Sequence, residues 1–323
     1  MPRLLLALLA AAVVLSSCGS SDEGSAPAPP QPASAKPADF PAAKGKTFAQ
    51  LTKGISQGAI LKISSFNDQQ IGRDRFSFAL VDRADKQLDV SDVAVYTADQ
   101  KGSVARGPFV AHKESLDVAA PYRSALTEGD LQSGDTFYVA NPTWRSSGKH
   151  AVMALARLDG RLVVAQSPVP IPVGVQGGPP GAGEKAIKVH TETPADVGGN
   201  YKAITTRIPP DTDQLKTDFA DVLGKKPTVL LFATPALCQS RTCGPVVDIT
   251  EQVRAKYGKG VTFIHQEIYA ENNPSKGVRP QVAKWRLQSE PWAFVIDKHG
   301  KISTRFEGVF SVGELARAVA KVQ

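Results

Sequence analysis

Thr228-Val229-Leu230-Leu231-Phe232-Ala233-Thr234-Pro235-Ala236-Leu237-Cys238-Gln239-Ser240-Arg241-Thr242-Cys243-Gly244-Pro245-Val246-Val247-Asp248 is the stretch whose reading decides the fold. It opens as an apolar run of strand length, crosses a proline-marked loop and ends on Cys-Gly-Pro at the expected start of a helix. Pro245 suits the first helical position, where its missing N–H costs nothing. That places Cys243 at or beside the N-cap and Asp248 in the first turn. A thiol there faces unpaired backbone N–H groups and the positive end of the helix dipole. Both favour thiolate over thiol, so a lowered pKa and a reactive Cys243 are expected. Cys238 lies five residues upstream in the same loop, within reach of a disulfide. The chemistry this spacing predicts is thiol–disulfide exchange.

The chain has 323 residues, 42% of them hydrophobic, and a formal net charge of +7. That is long enough for two domains with cores of their own. The positive charge is spread along the chain with no dense Lys/Arg block, so nucleic acid is not an expected partner.

The N-terminus points to export. Leu4 to Leu15 is an apolar run too short to span a bilayer comfortably. It leads into Leu15-Ser16-Ser17-Cys18-Gly19, which resembles the lipobox of bacterial lipoproteins. The resemblance implies that residues 1–17 are a signal peptide and that Cys18 carries lipid, holding the protein on the outer face of a bacterial membrane. Only Cys238 and Cys243 then remain. Two cysteines in one loop of an exported protein form a redox pair or a structural disulfide.

Residues 18–46 are rich in Ala, Pro, Ser, Gly and Lys and read as a disordered tether. From 47 to 173 short alternating runs take over, among them 75–82, 93–96, 136–140 and 151–157. Asp159-Gly160 between two apolar runs is a hairpin signal. The expected architecture is an antiparallel sandwich of roughly seven strands, immunoglobulin-like. His112, His150 and Met153 are possible copper ligands, but no two show a ligand spacing, so they read as surface histidines and a core methionine. Residues 174–195 read as a linker.

Residues 196–323 show a different pattern. Leu215, Phe219, Val222 and Leu223 share a helical face, so 213–223 is a predicted helix stopped by Gly224. The strand at 228–233, the helix from Pro245, a strand at 261–268, a short helix at 280–285 and a hairpin at 292–306 follow. Ser311 and Glu314 have capping-box spacing at the start of a last helix.

This order, with Cys243-Gly244-Pro245, Ser289-Glu290-Pro291-Trp292 and Gly308, resembles the thioredoxin fold over about a third of the chain. The implied fold class is two domains, an all-β immunoglobulin-like sandwich followed by an α/β thioredoxin-like domain. The resemblance further implies a cis bond before Pro291. It makes Glu290, Pro291 and Trp292 the residues that hold an extended partner, and protein thiols or disulfides the substrates. No cofactor is expected. The chain departs from the family in two ways. Val246 stands where the second cysteine of Cys-x-x-Cys would be, and the acidic residue of the first strand is missing. Matching Gly244-Pro245 to the motif makes Cys243 the nucleophile and Cys238 the resolving thiol; the other register matches Cys238 to the first cysteine and Cys243 to the second, with two residues inserted. Glu267 is either a proton acceptor or a solvated or hydrogen-bonded edge residue.

Two other functions compete with a membrane-anchored oxidoreductase. One is a non-catalytic binding lipoprotein with a structural disulfide. The other is copper binding of the Sco type, in which His265 or His299 would have to supply a nitrogen to the Cys pair. A peroxidase is a weaker match, because Thr242 adjoins Cys243 instead of preceding it by three residues.

Overall fold

Side-chain alternation builds the first half of the structure. In Phe76–Val81 the residues Phe76, Phe78 and Leu80 point to one side and are fully buried in a single apolar cluster. The computed structural model describes residues 35–65, 68–130, 136–238 and 242–323. The expected signal peptide, Cys18 and the tether up to residue 34 lie outside the described residues. In chain order the first elements are α1 (Phe48–Leu51), β1 (Gln57–Ile63), β2 (Gly72–Arg73), β3 (Phe76–Val81), β4 (Val93–Asp99) and β5 (Arg106–Ser115). Then come α2 (Ala125–Asp130), β6 (Thr136–Ala140), β7 (Thr143–Trp144), β8 (Gly148–Leu158), β9 (Arg161–Gln166) and β10 (Ile171–Val173).

Seven of these strands close on themselves. Their order is β8-β4-β5-β6-β3-β1-β9, and β9 pairs again with β8. The β1–β9 pairing is parallel and the other six are antiparallel. The β8–β9 hairpin turns at Asp159-Gly160, both with positive φ, as a two-residue type I′ turn requires. Phe40 and Ala43, near the end of the expected tether, are buried against the barrel, and the Tyr96 hydroxyl donates to the Pro41 carbonyl at 2.8 Å.

The second half contributes α3 (Phe219–Val222), β11 (Thr228–Phe232), α4 (Cys243–Tyr257), β12 (Thr262–Gln266), α5 (Pro280–Lys284), β13 (Trp292–Ile296), β14 (Ile302–Glu307) and α6 (Val312–Val319). The sheet order is β12-β11-β13-β14, with β11 and β12 parallel and the rest antiparallel. β11 is buried on both faces: Val229 and Leu231 lie in one cluster, Leu230 and Phe232 in another. That explains its continuous apolar run. Ser311 caps α6 in a capping box with Glu314. The predicted helix at 213–223 is broken. Asp218 accepts from the Ala220 N–H and starts α3 afresh, and the Thr191 hydroxyl takes the Phe219 N–H.

The expected fold class is therefore corrected. The first half is a closed barrel, not an immunoglobulin-like sandwich, and a separate α/β thioredoxin-like domain is not evident. Ala33–Gln323 form one compact unit. One apolar cluster joins Phe137 and Val139 of β6 to Val246 and Val247 of α4 and Leu315 of α6. Polar ties reinforce it. Arg75, just before β3, donates to both Glu314 carboxylate oxygens at 2.7 and 2.8 Å and to the Val309 carbonyl. Gly308 passes Ser64 so closely that a Cβ would sit 2.3 Å from the Ser64 carbonyl oxygen.

Asp248, in the second turn of α4, is the most connected of these ties. One carboxylate oxygen accepts from Arg207 Nε at 2.8 Å; the other accepts the Ser124 N–H and hydroxyl at 2.7 and 2.9 Å. Asp248 and Arg207 are both buried. Asp248→Ala leaves Arg207 with Glu251 as a carboxylate partner but takes the acceptor from the buried Ser124 N–H and from Arg207 Nε, which costs about 1–3 kcal/mol. Urea unfolding of the variant should show a loss of that size, and a loss under about 1 kcal/mol would contradict the role given to this carboxylate.

Candidate functional site

The site forms where three backbone segments meet. β11 runs out through Ala233 and Thr234 into the loop that carries Cys238. α4 begins at Cys243, with Thr242 as N-cap. The third segment is Ser289-Glu290-Pro291, which enters β13 through a cis Glu290–Pro291 peptide, with the Pro291 carbonyl accepting the Gly308 N–H at 2.9 Å. The Cys238 and Cys243 sulfurs and a Glu290 carboxylate oxygen all lie within 4.8 Å of one another. This is the one such grouping of three potential ligands among the described residues.

The two cysteines differ in access. Cys243 is fully buried, whereas Cys238 is half-buried and lines a cleft of about 690 Å³. Helix α4 begins two residues before Pro245, so Cys243 is the first helical residue and Pro245 the third. Its thiol is nevertheless pushed well above the ordinary value of 9.0, chiefly by burial, then by a hydrogen bond to Cys238 and by the nearby charges of Cys238 and Glu290. A hydrogen bond from the Thr234 backbone acts the other way without offsetting this. The expected helix-tip thiolate at Cys243 is corrected accordingly: desolvation outweighs the dipole.

Glu290 is pushed up to about 8, first by burial, then by Cys238 and Glu267. Its Oε2 is buried with no hydrogen-bond partner among the described residues. Tyr269, in the same cleft, is raised by burial and by Glu290 and the two cysteines. Glu267 is buried and accepts the Thr206 N–H and hydroxyl at 2.6 and 2.8 Å, so it is a held interior carboxylate and not a solvated edge residue.

Trp292 departs from the resemblance. It is fully buried on the far face of the sheet, stacked on Phe294, with its indole N–H donating to Ser289 Oγ at 2.9 Å, so it packs and cannot face a partner. Pro291 is also buried. The histidines do not join the cysteines. His265 Nε2 is hydrogen-bonded to the Ala233 carbonyl at 2.9 Å, and His299 is exposed in the β13–β14 turn. Met153 is a core residue and His150 packs edge-on against Trp144. Sequence reading missed the pairing of Glu290 with the thiols. It also missed Tyr269, whose only trace was the acid-containing run 265–269 after a strand.

No family model matches the chain, and no curated protein does. Among solved structures, a thiol:disulfide interchange protein DsbE from Chlorobium tepidum is 15% identical, covering 44% of this chain and 96% of its own, with a TM-score of 0.31. A thioredoxin-family thiol:disulfide interchange protein from Chlorobium tepidum TLS is 17% identical over 42% of this chain and 99% of its own, TM-score 0.29. The Lin-41 filamin domain is 11% identical over 35% of this chain and 93% of its own, TM-score 0.18. Each covers less than half of this chain. No helix among the described residues is long and apolar enough to cross a membrane.

Because Glu290 holds its proton more tightly folded than at its ordinary value of 4.5, it stabilises the fold fully below that pH and progressively less as pH rises to about 8. Unfolding of the reduced protein followed from pH 4.5 to 8 should show declining stability, with a flatter slope in Glu290→Gln. An identical slope in both proteins would refute this.

Proposed function

We propose that this chain is a thiol–disulfide oxidoreductase in which Cys238 attacks and Cys243 resolves. The observation that carries the reading is the unequal pair itself: a cleft-lining sulfur hydrogen-bonded to a sealed one, with a carboxylate beside both. A disulfide with only a structural role has no need of the cleft or the carboxylate. The attacking role thus passes to Cys238, matching the second register of the motif.

The steps balance as follows. Cys238 sulfur attacks one sulfur of a partner disulfide, forming a mixed disulfide and releasing the other sulfur, which takes up the Cys238 proton. Cys243 then gives its proton to the Glu290 carboxylate as its sulfur attacks Cys238. The partner's second sulfur leaves and takes up that proton, and the Cys238–Cys243 disulfide remains. Reversal of the same steps oxidises a partner dithiol.

With 5,5′-dithiobis(2-nitrobenzoate), the reduced protein should release two equivalents of thiolate in two phases. Cys243→Ser should release one and retain the adduct, and Cys238→Ser should react at least 100-fold more slowly. Glu290→Gln should slow the second phase roughly 100-fold, the lower range for a general base. It should leave the first phase as fast or faster, because the charge opposing the Cys238 thiolate is gone. The opposite pattern in the two serine variants would return the attacking role to Cys243.

Cys18 is proposed as the lipid-bearing residue that holds this chemistry on the outer face of a bacterial membrane, supported by the apolar run and lipobox-like residues before it. Cys18→Ser should move the protein expressed in bacteria from the membrane to the soluble fraction; unchanged membrane association would remove the anchor.

A further inference from the structure

The barrel supplies the second wall of the cysteine cleft. Opposite Cys238, Tyr269 and Glu290 the cleft is lined by Lys62 and Ile63 of β1 and by Ala79 and Val81 of β3. β1 and β3 pair with Lys62 opposite Ala79 and Ile60 opposite Val81. Within these strands Leu61 and Leu80 point into the barrel core, so Lys62 and Ala79 point away from it. A second cavity of about 350 Å³ continues the cleft along the same strands. It shares Lys62, Ile63, Val81 and Asp85 with the first and runs to Ile60 and to Val169, which is 52% exposed. The two together extend the cleft from Cys238 along the outside of the barrel, polar beside the cysteines and mostly apolar beyond.

Cations outnumber carboxylates on its rim. Lys62 pairs with Asp85 at 2.9 Å, and Asp82 accepts the Ala84 and Lys86 N–H groups. Exposed Arg83 and Lys86 have no ion pair among the described residues. An apolar floor with a positive rim suits an extended segment that carries aliphatic side chains and an acidic residue. A groove that follows strands β1 and β3 along its length admits a single extended chain more readily than a folded surface.

We propose that the outer face of the β1–β3 pair is a substrate-binding wall, taking an extended peptide with aliphatic and acidic residues that presents its disulfide to Cys238. The inference rests on the oxidoreductase reading for its chemistry, but the groove binds independently of the thiols.

The test separates the two. A fluorescein-labelled unstructured peptide with Ile, Val and Glu beside a Ser in place of its Cys is titrated by fluorescence anisotropy. Ala79→Trp fills the groove from an outward-facing position, so the barrel core is untouched. Binding should weaken at least tenfold, within the range for blocking an apolar side chain. Replacing Glu by Lys in the peptide should also weaken binding to the wild type. With the disulfide form of the peptide, Ala79→Trp should lower the second-order rate constant of the reduced protein at least tenfold. Equal peptide affinity for wild type and Ala79→Trp overturns the proposal. Groove-dependent binding with unreactive cysteines would sustain the groove and sink the oxidoreductase reading instead.

Discussion

Strand β6 is the constraint on which the architecture depends. Tyr138 and Ala140 face the barrel core, while Phe137 and Val139 face α4 and α6. A strand in a self-sufficient barrel would turn polar residues outward. This one has no polar side to show, so the barrel is incomplete without the second sheet, and α4 is incomplete without the barrel. Leu116 and Val118, just past β5, join the same cluster. The buried Asp248–Arg207 pair and the Gly308–Ser64 crossing then define how the halves meet. Because α4 starts at Cys243, the packing that fuses the halves also sets the depth at which that sulfur lies.

Much of the local structure was legible in the sequence. Alternation located the strands, Asp159-Gly160 located a hairpin, and Ser311 with Glu314 located the last helix. Closure of the barrel was not legible. It depends on parallel pairing of β1 with β9, which brings Gln57 to Val164 across a hundred residues of chain, and alternation carries no information about partners. The Leu215–Leu223 stripe was real, since Leu215 and Phe219 are buried, yet Asp218 spends its carboxylate on capping and splits the helix. For the site, the cysteines and Glu290 were visible as residues. The access and desolvation on which their proposed roles turn were not, because both are properties of the packed interior. Trp292 was misassigned for the same reason.

Burial comes first in raising Cys243, Glu290 and Tyr269, and neighbouring acidic groups add to it: Cys238 and Glu290 at Cys243, Cys238 and Glu267 at Glu290, and Glu290 with both cysteines at Tyr269. A helix terminus offers a buried thiolate about half a positive charge. That is little against removal from water next to a carboxylate. The site therefore favours neutral forms at both ends of the proposed cycle, two thiols in one and a disulfide in the other. A negative charge at Cys243 exists only while the sulfur is attacking. In the proposed cycle the ionised form of the Glu290 carboxyl, raised to about 8, is the proton acceptor: it takes the Cys243 proton at the moment of attack and yields it to the departing sulfur, so no charge has to persist on Cys243. Exposure at Cys238 and burial at Cys243 are then two halves of one arrangement, in which the sulfur proposed to meet the partner is hydrated and the sulfur proposed to release it is dry.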